Sequence, residues 1–350
     1  MPTPAAATIA RRLPKVVLHD HLDGSLRPAT LLELLRERGV APPAPDVASL
    51  ERWFDANAHA GSLVKYLEGF ALTVAAMATP AAMQRVAFEA AEDARADGAL
   101  LAEFRIAPLL FEPHGVGGDA TVEALLAGLA QSALPSGLIV CAMRNFGAEH
   151  VQRSADLALR WAGRGGAGPR VIGFDLAGAE FGHPVAEHAA AMARVRAAGL
   201  PMTLHAGEAD AAERVLEAGR AGARRIGHGV RLVDALADPA RVHLVDEVKA
   251  LGLHLEVCPT SNVHTGAAPS IAAHPITALW RAGVSLSFHT DNRLMSCITH
   301  SEEAAALLEH TPLAEADLRE MARQAARASF LEPAVREAAL RALDQVDAGS

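Results

Sequence analysis

Eight short apolar segments, each followed by a longer helix-like stretch, predict an α/β protein built as a (β/α)8 barrel with extra helices. Two details support this over other α/β folds. Many of the helix-like stretches end in Gly just before the next apolar segment, as helix-to-strand loops prefer. No Gly-x-Gly-x-x-Gly follows the first apolar segment, which counts against an open, doubly wound sheet, the main competitor.

The strand segments are KVVLHDH (15–21), ALLAEFRIA (99–107), GLIVCAM (137–143) and VIGFDLA (171–177), then PMTLHAG (201–207), RRIGHG (224–229), LHLEVCP (253–259) and VSLSFHTD (284–291). Helix signals lie between them. PATLLELLRERG runs from Pro28 to Gly39, a Pro start and a Gly stop, and PAAMQRVAFEAAEDARADG does the same from Pro80 to Gly98. TVEALLAGLAQ, HVQRSADLALRWAG, VAEHAAAMARVRAAG, DAAERVLEAG, PARVHLVDEVKALG and HPITALWRAG continue the alternation. Two regions interrupt it. Residues 40–79 form a long insertion carrying Trp53, Phe54, Tyr66 and Phe70, expected to pack over the barrel and to supply an apolar lid at its mouth. After His300 the pattern is helical to the end, in SEEAAALLEH, LAEADLREMARQAARAS and PAVREAALRALDQ. With no short-period repeat and no low-complexity linker, one domain is expected over residues 1–350.

Composition narrows the partners. Of 350 residues 51% are hydrophobic, enough for a large core, and the formal net charge is −9. Lys and Arg are scattered, with no basic stripe, which argues against nucleic acid or an anionic membrane as the main partner. Cys141, Cys258 and Cys297 are widely spaced and include no CxxC pair. They predict no disulfide framework and no cysteine zinc site, and each is expected to pack as a small hydrophobe in a reducing cytosol. The opening residues MPTPAAATIARRLPK lack the basic and apolar regions of a secretory leader, and no run is long enough for a membrane span, so a soluble cytoplasmic chain is expected.

The unusual polar residues fall where a barrel places its chemistry, at the C-terminal ends of strands. The first segment ends in His19-Asp20-His21 followed by Asp23-Gly24, the fourth in DLAGAE, the fifth in LHAGE, the sixth in IGHG and the eighth in HTDN. In a strand, residues two apart share a face, so His19 and His21 project together while Asp20 points away. An isolated pair of this kind is more often a hydrogen-bonded strand end, but five such ends share one mouth. His19, His21, His205 and Asp291 then supply three nitrogens and a carboxylate, leaving a position for water, as a catalytic metal requires. No Lys lies near the end of the fourth strand to bridge a second metal, so one metal per chain is expected.

In this order, HDHLDGS, DLAGAE, LHAGE, RIGHGV, EVCPTSN and HTDNRLMS resemble the adenosine deaminases of the amidohydrolase superfamily, from about Lys15 to past Ser296. SLVKYLEGF and AEFRIAP are similar to family segments as well. The resemblance implies a barrel with one Zn2+ and hydrolytic removal of ammonia from C6 of a purine nucleoside. By the same resemblance His19, His21, His205 and Asp291 match the metal ligands, and Glu208 matches the acid that protonates purine N1. His228 matches the histidine that orients and deprotonates the zinc water. His21, Asp23, Gly178 and Asn292 match substrate positions: Asp23 meets the ribose 5′-hydroxyl, the Gly178 backbone meets N3, and Asn292 stands where many members carry the Asp that bonds N7.

Departures from the family bear on the substrate. TDNRLMS resembles a bacterial subgroup, and Ala179 and Ala107 replace an Asp and a Ser found in other members. His289 stands where Asn is more usual and is expected one layer below the metal, supporting it from behind. Arg293 has two readings: a partner for a structural carboxylate, or a receptor for an acidic group on a larger substrate such as aminodeoxyfutalosine. Asp23 argues against a free base, which has no 5′-hydroxyl. Another amidohydrolase reaction and a catalytically silent binding protein are the competing classes, and the intact polar set argues against the second.

Overall fold

The apolar segments pair in strict sequence order to make an eight-stranded parallel sheet, seen in a computed structural model that describes residues 3–59, 63–164 and 168–348. The strands are β1 (Lys15–His21), β2 (Ala99–Ile106), β3 (Ser136–Met143), β4 (Val171–Ala177), β5 (Met202–Ala206), β6 (Arg225–His228), β7 (His254–Val257) and β8 (Leu286–Phe288). Each lies within a residue or two of its predicted segment except β8, which is shorter.

The seam between β8 and β1 is closed by the residues that follow β8. Asp20 and Asp291 form an isolated parallel bridge, with the His21 amide donating to the Asp291 carbonyl at 2.8 Å and the Asp291 amide to the His19 carbonyl at 3.1 Å. Below it the Leu18 amide donates to His289 Nδ1 at 3.3 Å, and His289 Nε2 meets Ser287 Oγ at 2.7 Å. His289 is fully buried and bonds the backbone of β1; no bond to a predicted metal ligand is recorded among the described residues. Its hydrogen bonds give it a different task from the expected support of the ligands: it fastens the seam. A register shift between Val17 and Asp20 marks a bulge in β1, a common device for re-aiming side chains beside a site.

The helices follow the sequence signals. Pro28–Glu37 and Pro80–Ala96 begin at Pro, and Thr79 caps the second through the Ala82 amide. In the insertion, Val47–Ala58 starts at Asp46, whose carboxylate accepts from the Ser49 amide, and Leu63–Met77 packs on the turn Leu22–Gly24 beside the barrel mouth. Phe54 is buried and forms an edge-to-face pair with Trp53; a side chain at Gly69 would strike Phe54 and Met295. The insertion thus packs on the barrel at the turn after β1, and the Tyr66 side chain, part of the expected apolar lid, lies outside the described residues. The sequence reading missed the helix Pro4–Arg12, which packs against His300–His310. Among the described residues no helix is long and apolar enough to cross a membrane. Cys141 and Cys258 are buried as expected, but Cys297 is exposed, because the turn carrying it faces outward.

The C-terminal helices Glu315–Ala328 and Pro333–Ala348 close the barrel floor. Ala325, Ala326 and Leu343 join Val16, Leu18, Leu101, Ile139 and Ile172 in one buried cluster. The Phe330 ring lies 3.6 Å from the Arg225 guanidinium, and Ser329 Oγ donates to Glu103 Oε1 at 2.5 Å. Glu303, on His300–His310, ties that helix to the one after β7 by accepting from the Thr260 amide and hydroxyl at 3.0 and 3.1 Å. Burial pushes the Glu303 carboxyl up to about 8. The folded chain then holds a proton that the unfolded chain releases near its ordinary 4.5, so stability falls as pH rises from about 4.5 to about 8, at up to about 1.4 kcal/mol per pH unit. Glu303→Gln removes this titration. Urea denaturation at pH 5 and pH 9 is expected to show a smaller loss of stability for the variant than for the parent; equal losses refute the assignment.

Candidate active site

The ends of β1 and β5 and the residue chain after β8 bring His19, His21, His205 and Asp291 together. His21 Nε2 lies 3.3 Å from the Nε2 atoms of both His19 and His205, and Asp291 Oδ1 lies 3.3 Å and 3.4 Å from His19 and His21 Nε2. Ligands held at about 2.1 Å around a tetrahedral ion stand about 3.4 Å apart, so the spacing fits a metal. The protonation pattern fits as well. His19 Nδ1 faces Glu256 Oε2 at 2.9 Å and His205 Nδ1 faces Asp175 Oδ1 at 3.0 Å. Each Nδ1 donates to its carboxylate, leaving a bare lone pair on Nε2. Lone pairs crowded around one point repel unless a cation lies between them.

Two arginines hold those carboxylates in place. Arg105, fully buried, meets Asp175 at 2.8 Å and Glu256 at 2.5 Å. Arg225 meets Glu103 at 2.7 Å and Glu256 at 2.5 Å, and Thr203 Oγ1 donates to Glu256 Oε1 at 2.9 Å. Burial pushes the Asp175 and Glu256 carboxyls up, but the cationic and ring N–H neighbours outweigh it and hold both well below the usual carboxylate range. Sequence reasoning missed this group. The signal was present as charged residues inside strand segments: Glu103 and Arg105 in AEFRIA, Asp175 in GFDLA, and Glu256 in LHLEV.

Glu208 and His228 sit beside the candidate metal ligands. His228 Nε2 lies 3.5 Å from Glu208 Oε2, and the His228 ring centroid is 5.0 Å from that of His19 and 5.2 Å from that of His205. Glu208 Oε1 accepts from Thr265 Oγ1 at 2.9 Å and from Asn262 Nδ2 at 3.2 Å; neither partner was singled out from sequence. The Glu208 loop is fixed by Glu180, the last residue of DLAGAE. Its carboxylate accepts the Gly207, Glu208, Ala209 and Asp210 amides at 2.6–3.2 Å. His228 and Asp291 adopt φ of +65° and +62°, a region costly for residues other than Gly and frequent at functional sites. A Cβ at Gly227 would stand 3.1 Å from His19 Cε1 and 3.2 Å from His205, so Gly there lets the strands approach the ligands. Beside Glu208 opens a cleft of about 580 Å³, lined also by Phe181, Thr265 and Arg231.

The remaining predicted residues border this group. Asp23, in the turn after β1, is buried, and burial pushes its carboxyl up to about 7. Gly24 is required there, since a Cβ would stand 2.0 Å from Asn292 Oδ1. Gly178, at φ +88°, turns the chain after β4 against Asn145. Arg293 is committed to structure: its Nε donates to the buried Asp20 carboxylate at 2.8 Å. Of its two readings, the structural carboxylate is the one this contact supplies. Cys258 shares a second candidate group with His19 and His228, but burial pushes its thiol well above the ordinary range, which disfavours a thiolate ligand.

Eight parallel strands, with a three-histidine, one-carboxylate group at their C-terminal ends and an acid and a histidine beside it, have the make-up of a hydrolase barrel with a candidate metal centre. The comparisons specify which one. The family described as adenosine deaminase matches residues 14–348. An adenosine deaminase of Mycobacterium sp. (strain JLS) is 42% identical over 347 residues, covering 95% of this chain and 94% of that one. The Mycobacterium leprae adenosine deaminase is 40% identical with the same coverage. Among solved structures, Arabidopsis ADAL complexed with IMP is 25% identical, with a TM-score of 0.81 over 96% of this chain and 97% of that one. An amidohydrolase from Burkholderia ambifaria with bound Zn shares the fold at a TM-score of 0.85 and 22% identity, covering 100% of this chain and 95% of that one. The chain belongs to the adenosine deaminase family.

If Asp175 fixes the His205 tautomer, Asp175→Asn weakens metal affinity by about 10- to 100-fold. Competition with a chromogenic chelator measures this directly, and an unchanged affinity refutes the role.

Proposed function

We propose that this chain is a zinc-dependent purine nucleoside deaminase that removes the C6 amino group of adenosine or deoxyadenosine as ammonia. The observation that carries the proposal is the placement of Glu208 and His228 against the His19–His21–His205–Asp291 group in a member of this family. Three nitrogens and one carboxylate oxygen suit zinc, and the Burkholderia neighbour binds Zn.

Zinc, when bound, lowers the pKa of water from 15.7 towards about 7 and so supplies a nucleophile at neutral pH. The chain's own residues do the rest. The purine C6 is a poor electrophile until the ring nitrogen beside it is protonated. Glu208 Oε2 is the oxygen left to give that proton to N1, because Oε1 is taken by Thr265 and Asn262. His228 and Asp291 hold the attacking oxygen on one face of the ring, and Ser261 Oγ steadies Asp291 by donating to Oδ2 at 2.6 Å. The attacking water gives up both protons: one reaches N1 through Glu208, and the other goes to the amino group, which leaves C6 as ammonia while the oxygen becomes the C6 carbonyl.

Substrate contacts follow the same reading. Asp23 Oδ1 is buried and meets no hydrogen-bond partner among the described residues, which suits a ribose hydroxyl. The Gly178 backbone and the Asn292 amide supply contacts to N3 and N7. A tailed nucleoside such as aminodeoxyfutalosine finds no acid receptor in Arg293, which Asp20 holds.

Ammonia release from zinc-loaded protein, measured with adenosine, deoxyadenosine, adenine and aminodeoxyfutalosine, tests the proposal. The two nucleosides are expected to turn over and chelation to stop them. Turnover of aminodeoxyfutalosine alone moves the assignment to that substrate, and silence on all four overturns the deaminase reading. Glu208→Gln is expected to lower kcat by about 10²- to 10⁴-fold with zinc content unchanged, and undiminished turnover sinks the acid role.

A further inference from the structure

The hydrogen bonds behind His228 have a direction, and it is set by a backbone amide. The Ile276 N–H lies 3.0 Å from His274 Nδ1. An amide N–H can only donate, so Nδ1 accepts and carries no proton. The His274 proton is then on Nε2, which faces Asn262 Oδ1 at 3.3 Å. Burial lowers the His274 imidazole to about 3, so the ring is neutral at working pH, consistent with that geometry. An N–H on Nε2 requires an oxygen opposite, and this fixes which way round the Asn262 amide sits. Its Nδ2 therefore turns the other way, with two hydrogens and two recipients: Glu208 Oε1 at 3.2 Å and His228 Nδ1 at 3.1 Å. Every donor meets an acceptor along the path, and reversing any one bond sets two donors face to face at Ile276.

We infer that His274 and Asn262 are positioning residues that fix the tautomer of His228, with Nδ1 bare and the proton on Nε2, the nitrogen facing Glu208 Oε2 and the metal-ligand group. The consequence for the reaction rests on the deaminase reading. Held this way, His228 meets the attacking oxygen by donating a hydrogen bond to it from Nε2. Its Nε2 has no lone pair with which to take that oxygen's proton, so Glu208 Oε2, 3.5 Å from that nitrogen, is the group left to accept the proton and pass it to N1. Of the two tasks that the family resemblance implies for this histidine, orienting the water and deprotonating it, the relay supports the first. Asn262 also serves Glu208, so one amide sets the hydrogen-bond direction at both groups beside the metal ligands.

The tautomer is read without turnover. In zinc-loaded protein labelled with 15N-histidine, two-bond 1H–15N correlation separates protonated from bare ring nitrogens. The His228 signals are identified as those lost in His228→Gln. The expected result is a bare Nδ1 and a protonated Nε2, and a protonated Nδ1 in the parent overturns the inference. Asn262→Asp supplies a second reading. Its carboxylate still accepts from His274 but offers His228 only acceptors, so a proton is expected on Nδ1; an Nδ1 that stays bare counts against the relay. Kinetics report the positioning role. Asn262→Asp and His274→Leu are expected to lower kcat roughly 10- to 100-fold with zinc content retained and KM within about threefold. His274→Gln, whose amide N–H replaces the Nε2 donor, is expected to recover most of the loss. An unmoved kcat in both damaging variants overturns the role. If the parent deaminates none of the nucleosides, the deaminase reading fails while the tautomer assignment stands or falls on the spectra alone.

Discussion

The candidate metal ligands depend on a buried lattice of charge in the barrel interior. Arg105 lies between Asp175 and Glu256, Arg225 between Glu256 and Glu103, and the two carboxylates nearest the site each also take an imidazole N–H, from His205 and His19. Buried ion pairs of this kind add little net stability over well-packed apolar groups, but losing one member is costly because it strands the others. Their effect here is orientation. Counted as ionised, the lattice holds two positive and three negative groups, an excess of one negative charge, and Asp291 adds another. A divalent cation among the neutral histidines balances that excess, so the interior charge and the ligand set ask for the same ion.

The seam ties the site to the fold in a second way. In many barrels the strands close through their own ladders, and the active site hangs from loops above. Here β8 is short, and closure passes to the ligand residues themselves: the backbones of His19 and His21 pair with Asp291, and the His289 side chain stands in for the missing rung below. The left-handed backbone at Asp291 is held by these bonds. The backbone that carries the candidate ligands is thus the seam itself, and the C-terminal helices with Phe330 pack beneath it.

Much of this was legible in the chain. Strand order follows from alternation and Gly stops, because a parallel barrel is built from local βα units whose signals are local. The ligands and their neighbours were legible because polar residues at the ends of apolar runs have few structural excuses. The second layer was harder. Glu256, Asp175 and Arg105 interrupt apolar strands, yet nothing in the sequence says that they meet one another across the barrel. Asn262 lies on the short helix Pro259–His264 after β7, with Thr265 and His274 in the chain that follows, where such residue types are ordinary, and only the fold brings them behind Glu208 and His228. Arg293 was ambiguous for the same reason, since its partner Asp20 was read simply as the residue pointing away from the metal.

The site also shows how one side-chain type is set to opposite tasks. His19, His205 and His228 have rings within 5.2 Å of one another. Behind the first two stands a carboxylate, which accepts a proton at Nδ1 and leaves Nε2 bare for a cation. Behind His228 stands an amide N–H, which fills the Nδ1 lone pair and leaves the proton on Nε2. The difference between a metal ligand and a hydrogen-bond donor is thus made on the far side of the ring. It traces to groups whose own direction is fixed: ionised carboxylates locked by buried arginines in one case, a backbone N–H at Ile276 in the other. Both origins are fixed as soon as the barrel has folded.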